Sequence, residues 1–311
     1  MRFVVLLLVL ALAVTGPISF AAPGGGRWET RAPMLSQRTE VAGAAIGTKI
    51  YVVGGLVPGG ATSAVEEYDT VSTTWRQVAP MPAALHHAAA VAHDGRLFVV
   101  GGYTVDWTPV NTTFEYDPSA NRWRSRAPLP TARGALAAVV HDGKIHAFAG
   151  EDRRGSDTGA HEEYDPATDT WRSRARVPTP RNHLTAVVFG TDVYAFAGRV
   201  GGRNEPVTEI YDTRTDRWRR GAPIPTPRSG SAAAAVGQFA YVFGGELGRR
   251  STYGETEAYH FMTNMWSARP PMPTPRHGLA AVAVGGRIYV LGGGPRPGGS
   301  YSNVNEVFIP D

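Results

Sequence analysis

Glu162-Glu163-Tyr164-Asp165-Pro166-Ala167-Thr168-Asp169-Thr170-Trp171 decides the architecture, because the phrase recurs. Its copies end at Trp75, Trp123, Trp171, Trp218 and Trp266, and a bare arginine-tryptophan pair ends at Trp28. Successive tryptophans lie 47 or 48 residues apart. A fixed period of this size signals a repeat architecture, in which each unit is one supersecondary element stacked on its neighbours.

Other positions keep step with the tryptophans. An apolar run closes on small residues at Gly54-Gly55, Gly101-Gly102, Ala149-Gly150, Ala197-Gly198, Gly244-Gly245 and Gly292-Gly293. An aromatic follows about a dozen residues later, at Tyr68, Tyr116, Tyr164, Tyr211, Tyr259 and Phe308. Ahead of each small pair stands a Pro-rich turn and then an arginine: Arg38, Arg133, Arg181, Arg228 and Arg276. The second unit departs from this, with Leu85 in the arginine's place and His86-His87 after it. A strand ending in Gly-Gly, then Tyr-Asp, then Trp resembles the kelch repeat. The resemblance runs from about Arg27 to the end of the chain. It implies an all-β fold, a six-bladed β-propeller of four-stranded blades. It says little about function, because one fold hosts many activities.

Two fragments at the ends are complementary. Arg27 to Ala32 carries a tryptophan strand with no partners, and Arg276 to Phe308 supplies three strands without a tryptophan strand. The N-terminal strand is therefore expected to complete the last blade and leave no open edge at the seam. Within a unit, strand a follows the arginine, strand b ends at the glycine pair, strand c carries the tyrosine and strand d the tryptophan. The tyrosine and tryptophan of each unit are read as packing between sheets, not as a ligand-stacking platform. Asp117-Pro118 and Asp165-Pro166 are turn chemistry.

The segment before the repeats reads as a leader. Arg2 precedes an apolar run from Phe3 to Val14, Thr15-Gly16-Pro17 breaks it, and Ser19-Phe20-Ala21 offers the small residues a signal peptidase reads. The expected division is a signal peptide over residues 1–21 and a propeller over 22–311. The alternative, an uncleaved anchor, is disfavoured because the run falls short of the roughly 20 residues of a spanning helix. The expected location is secreted or periplasmic, with no membrane span once the leader is removed.

Composition narrows the chemistry. The chain has no cysteine, which excludes disulfides, thiol catalysis and thiolate-bound zinc. It also excludes a thioether-linked tyrosyl cofactor of the galactose oxidase kind. The net charge of +4 is carried almost wholly by arginine, with Lys49 and Lys144 the only lysines. The arginines are interspersed with acids, so no nucleic-acid partner is implied. No cofactor is expected. The histidines show no metal-ligand spacing, and only a site assembled by the fold from different blades stays open. Asn111-Thr112-Thr113 is a glycosylation sequon, meaningful only in a eukaryotic secretory pathway.

Alternating strand direction puts the d-to-a and b-to-c loops on one face, and the b-to-c loops vary most. Function is expected there. Arg38, Arg133, Arg181, Arg228 and Arg276 start their strands on this face, with His86, His183 and His277 beside them. The resemblance to kelch adaptors of ubiquitin ligases implies that such arginines hold acidic ligands. The competing expectation is that each pairs with a carboxylate of its own neighbourhood and serves the repeat. Trp107, off the period, is either a contact residue or a cap on its loop. Glu151, near Arg153-Arg154, and Glu246, near Arg249-Arg250, are the candidate catalytic carboxylates, a glutamate beside an arginine resembling the sites of sialic-acid mutarotases (N-acetylneuraminate epimerases). The leading expectation is a monomeric, non-catalytic scaffold for a protein or an acidic carbohydrate. The alternative is a carbohydrate-active enzyme.

Overall fold

The computed structural model describes residues 25–248 and 250–311. The expected leader lies outside the described residues. Among them there is no helix, and so none long and apolar enough to cross a membrane.

Six four-stranded antiparallel sheets stand around a central axis. In blade one, strands a to d are Ala42–Ile46, Lys49–Val53, Val65–Asp69 and Thr74–Val78. Blade six takes Ala280–Val284, Arg287–Leu291 and Asn305–Ile309 from the C-terminal end and its outer strand, Arg27–Thr30, from the N-terminal end. Trp28 faces Phe308 across that seam, as Trp75 faces Tyr68 in blade one. The complementary fragments thus meet as the repeat count requires.

Apolar clusters fill each wedge between adjacent sheets. One joins Ile50, Val52 and Tyr68 of blade one to Tyr289 and Leu291 of blade six. The tyrosines are buried, and each tryptophan indole donates to a carbonyl of the preceding blade: Trp75 to Ala32 at 2.8 Å, Trp171 to Ala127 at 2.9 Å and Trp28 to Pro270 at 2.9 Å. These aromatics are structural, as read from their recurrence.

Three backbone devices close the ring. Numbering from the arginine position, the second residue after it is Glu40, His87, Ala135, His183, Gly230 or Gly278. All six have φ between 52° and 62°. Each N–H from His87 onward donates to the carbonyl of the equivalent residue one blade back: His87 to Glu40, Ala135 to His87, His183 to Ala135, Gly230 to His183 and Gly278 to Gly230. Val41 closes the circle onto Gly278 at 3.2 Å. Second, the last glycine of each small pair donates to the arginine-position carbonyl of the next blade, as Gly150 does to Arg181 at 2.8 Å. Third, the first small residue passes so close to that carbonyl that a side chain is barred at Gly244, whose Cβ would lie 2.3 Å from the Arg276 oxygen.

Blade three buries an imidazole pair where other blades place aromatics and threonines. His161 donates through Nδ1 to the Ala175 carbonyl at 3.1 Å, so its Nε2 accepts from Nδ1 of His146, also at 3.1 Å. Burial lowers His146 to about 4, against the pull of nearby Glu163, and His161 to about 3. Unfolded histidines titrate at 6.5. The unfolded chain therefore binds these protons first, and stability falls as pH drops from 6.5 through 4. Replacing His146→Phe and His161→Thr, residues found at the same positions of other blades, should lessen the fall of denaturant-derived stability over that range; an unchanged slope would remove this pair as a source of it.

Candidate functional site

The five arginines do not form a surface ring. Their side chains are fully buried. Each runs under its own blade and donates to the carbonyls that end strand b. Arg181 bonds to Ala197 at 2.7 Å, and Arg276 to Gly292 at 2.8 Å and Val290 at 3.2 Å. Each also pairs with a strand-c glutamate: Arg38 with Glu66, Arg133 with Glu162, Arg181 with Glu209, Arg228 with Glu257 and Arg276 with Glu306. A hydroxyl two residues before the arginine bonds to the same carboxylate, as Thr179 does to Glu209 at 2.7 Å. Burial lowers Arg228 to about 10, which leaves it charged at neutral pH. The reading of these side chains as an accessible binding ring is corrected. Their fork is consumed by backbone carbonyls that would otherwise be orphaned.

Blade two supports this. Ala83, Leu85 and Phe114 stand where other blades have the hydroxyl, arginine and glutamate, and Leu85 packs in the cluster that holds Phe114. The polar trio has been exchanged as a unit for an apolar one, the replacement that buried ion pairs tolerate best.

What does converge on the axis is the second residue after the arginine. Glu40, His87 and His183 enter the loop-face mouth of a central channel of about 270 Å³, walled lower down by alanine-rich strands a. Left-handed backbone costs a non-glycine residue about 1–3 kcal/mol, and such strain gathers at functional sites. The first residue of each b-to-c loop is bridged to the residue just after the arginine position: Tyr103 to His86, Glu151 to Gly134, Arg199 to Asn182, Glu246 to Ser229 and Gly294 to His277. This bridge carries Arg199 and Glu246 over the same mouth.

The contacts form one network. His87 Nε2 lies 3.2 Å from Glu40 Oε2, and His277 Nε2 lies 3.5 Å from Glu40 Oε1 and 3.7 Å from Glu246 Oε2. Arg199 reaches Glu246 at 3.1 Å, His183 Nε2 at 3.1 Å and Asn182 Oδ1 at 3.1 Å. Burial raises the Glu40 carboxyl above its usual range, with His277 opposing and Glu246 adding to the shift. Burial also holds His87 and His183 well below the ordinary imidazole range, aided by His183 at the first and by Arg199 at the second.

Of the histidines expected at the mouth, His183 and His277 are there. His86 is buried one step back, between Tyr103 and Trp107, and burial lowers it to about 4. Trp107 caps that stack, 4.5 Å from the His86 ring, while staying 55% exposed. It thus caps its loop, one of the two roles considered for it, and keeps an exposed edge. Of the two glutamates, Glu246 joins the network, whereas the Glu151 carboxylate lies against the Tyr103 hydroxyl. Glu40, His87 and Arg199 were not singled out from sequence. The available signal was the second residue after the arginine, which reads Glu, His, Ala, His, Gly, Gly around the ring.

Residues 124–293 match the family described as the KLHDC2/KLHL20/DRC7 Kelch-repeats domain, and residues 37–82 and 84–130 match the Kelch motif. The Kelch-like protein terF of Aspergillus terreus is 35% identical over 118 residues, 34% of this chain and 26% of that protein. Kelch-like protein 25 of Homo sapiens is 39% identical over 75 residues, 24% of this chain and 13% of that protein. The matches thus span about a quarter or less of these relatives' length. The solved structure of YjhT superposes with a TM-score of 0.79 over 90% of this chain and 97% of that one, at 18% identity, a likeness of fold.

Breaking one buried pair should be costly and exchanging the trio should not. Arg181→Ala leaves the Glu209 carboxylate buried without its partner, a loss of about 3–5 kcal/mol. The blade-two triplet, Thr179→Ala with Arg181→Leu and Glu209→Phe, should restore most of it in denaturant titrations. A triplet as unstable as Arg181→Ala would refute the exchange.

Proposed function

Because the chain belongs to the kelch-repeat family, whose propellers generally mediate protein interactions, we propose that it is a binding module acting outside the cytoplasm. It takes a protein or an acidic carbohydrate on its loop-rich face. The carrying observation is the exposed side chains of that face. Leu35 lies on a d-to-a loop, and Val105, Trp107, Val200 and Leu247 lie on b-to-c loops. The exposed guanidinium groups of Arg154 and Arg203 stand on the same loops. Tryptophan and arginine are the residue types enriched in binding hot spots. Arginine forks suit carboxylates.

Thermal shift with acidic peptides and acidic sugars, N-acetylneuraminate included, tests the reading. A ligand at 100 times its Kd stabilises by about 2.7 kcal/mol, or roughly 2–4 °C per kcal/mol in a chain of this size. The shift should vanish in Trp107→Ala with Arg154→Ala and persist in Val71→Ser with Met262→Ser, which change the opposite face. Equal loss in both variants would overturn the assignment of the face.

A second reading, a carbohydrate-active enzyme such as a sugar mutarotase, is favoured by Glu246 lying 3.1 Å from Arg199 above the channel. Anomer exchange of N-acetylneuraminate, followed by NMR and lost in Glu246→Gln, would support it. Export rests on the apolar run from Phe3 to Val14. The expected outcome is an exported chain whose N-terminal sequence begins at Ala22, and intact chain retained in the cytosol would overturn it.

A further inference from the structure

The axial network has a donor set unlike that of a salt-bridge cluster. Glu40, His87 and His183, from blades one, two and four, each bring one ligand atom to a common point, all within 4.8 Å of one another. They occupy ring positions that the backbone holds at φ of 52–54°. Blades five and six have glycine there, and this makes room. A Cβ on Gly278 would lie 2.6 Å from the Glu40 carboxyl carbon.

The outer partners of the imidazoles orient their lone pairs. His86 donates from Nε2 to the Thr104 carbonyl at 3.0 Å, so its Nδ1 is an acceptor. His87 must therefore donate to it from Nδ1, which leaves His87 Nε2 a bare lone pair facing Glu40. His183 sends Nδ1 to Asn182 Oδ1 at 2.5 Å, and that amide is fixed by its own donation to Asp157. Its Nε2 is likewise a lone pair, accepting from Arg199. His277 repeats the pattern, with Nδ1 on the Gly294 carbonyl at 3.1 Å and Nε2 toward Glu40. Buried lone pairs aimed at a carboxylate repel it unless a proton or a metal cation lies between them. Imidazoles whose second nitrogen is tied to a carbonyl, amide or further imidazole are the arrangement in which metal ligands are held.

We propose that Glu40, His87 and His183 form a binding site for a divalent first-row transition-metal ion at the loop-face mouth of the channel. Two imidazole nitrogens and a carboxylate oxygen are the donor set of open zinc sites, in which the fourth position takes water or a substrate atom. Bonds of about 2.0–2.1 Å to a tetrahedral zinc put donor atoms roughly 3.3 Å apart, and His87 Nε2 already lies 3.2 Å from Glu40 Oε2. The remaining donor pairs lie within 4.8 Å and would close on an ion by side-chain rotation. Calcium and magnesium, which require oxygen donors, do not fit this set. Arg199 competes for His183 Nε2, so the ion must displace one of its hydrogen bonds. His277 Nε2 stands 3.5 Å from the far oxygen of Glu40, and Glu246 lies beyond it, 3.7 Å from the same nitrogen.

Equilibrium dialysis of the chelator-stripped protein against zinc, with elemental analysis, is the test. One zinc per chain is expected, and cobalt in its place should give the visible absorption of a tetrahedral centre. His87→Ala and His183→Gln should each weaken binding more than 100-fold. Asn182→Ala, which leaves the ligand atoms in place but frees the outer nitrogen of His183 along with Arg199 Nε and Asp157, should weaken it about 10-fold. Arg199→Gln removes the competing cation and should tighten it. Circular dichroism and thermal melting identify any variant that fails to fold, and Asn182→Ala and Arg199→Gln keep the ligands intact if His87→Ala does not fold. Failure of the stripped wild-type protein to take up zinc or cobalt would overturn the proposal. So would stoichiometric binding that persists in the folded His87→Ala, His183→Gln double variant.

Discussion

A ring of sheets needs its inner ends bonded to one another, and here the backbone does this through a residue forced into the left-handed region. Each such residue from His87 to Gly278 passes its N–H to the blade before it, and Val41 closes the circle. Glycine meets the requirement at little cost, as at Gly230 and Gly278, and alanine does so at Ala135. Wherever a larger residue accepts the conformation, its side chain is thrust toward the axis. The ring therefore creates the positions from which a channel mouth can be furnished, and three blades have furnished them with Glu40, His87 and His183.

The buried arginine is the counterpart of this ring inside each blade. The glycine pair that lets one blade approach the next ends strand b with carbonyls that no strand can satisfy. Guanidinium carries five donors in a planar fork and reaches several of these carbonyls at once. Its charge then needs a carboxylate, and strand c supplies one. Blade two shows that the trio is exchangeable as a whole. Partial exchange leaves a buried charge without its partner, which explains why arginine, glutamate and hydroxyl depart together.

Recurrence proved ambiguous for function. Five arginines in register looked equally like a ring of ligand-binding cations and like a structural motif. Spacing could not separate the two, because both place the residue at the same point of the repeat. The direction of the side chain separates them, and that depends on which carbonyls are left unpaired once the sheets have closed. The true mouth residues were harder to see for the opposite reason. Glu40, His87 and His183 do not recur, and they lie 47 and 96 positions apart in the chain. No local spacing rule connects them. Arg199 and Glu246 came to the same place because the first loop residue is bridged back to the start of strand a.

The amino-acid sequence by itself determined the period, the four strands of each blade, the number of blades and the sharing of the last blade between the two ends. These follow from local patterning and from counting, since each unit repeats the same physical solution. It also determined that the tyrosines and tryptophans are wedge fillers. Only the tertiary structure decided that the arginines point inward under the sheets and that the axis is lined by a glutamate and imidazoles from separate blades. It also fixed which nitrogen of each imidazole faces that axis. Those outcomes depend on ring closure, which brings equivalent positions of separate blades together around one axis and sets the direction of their side chains.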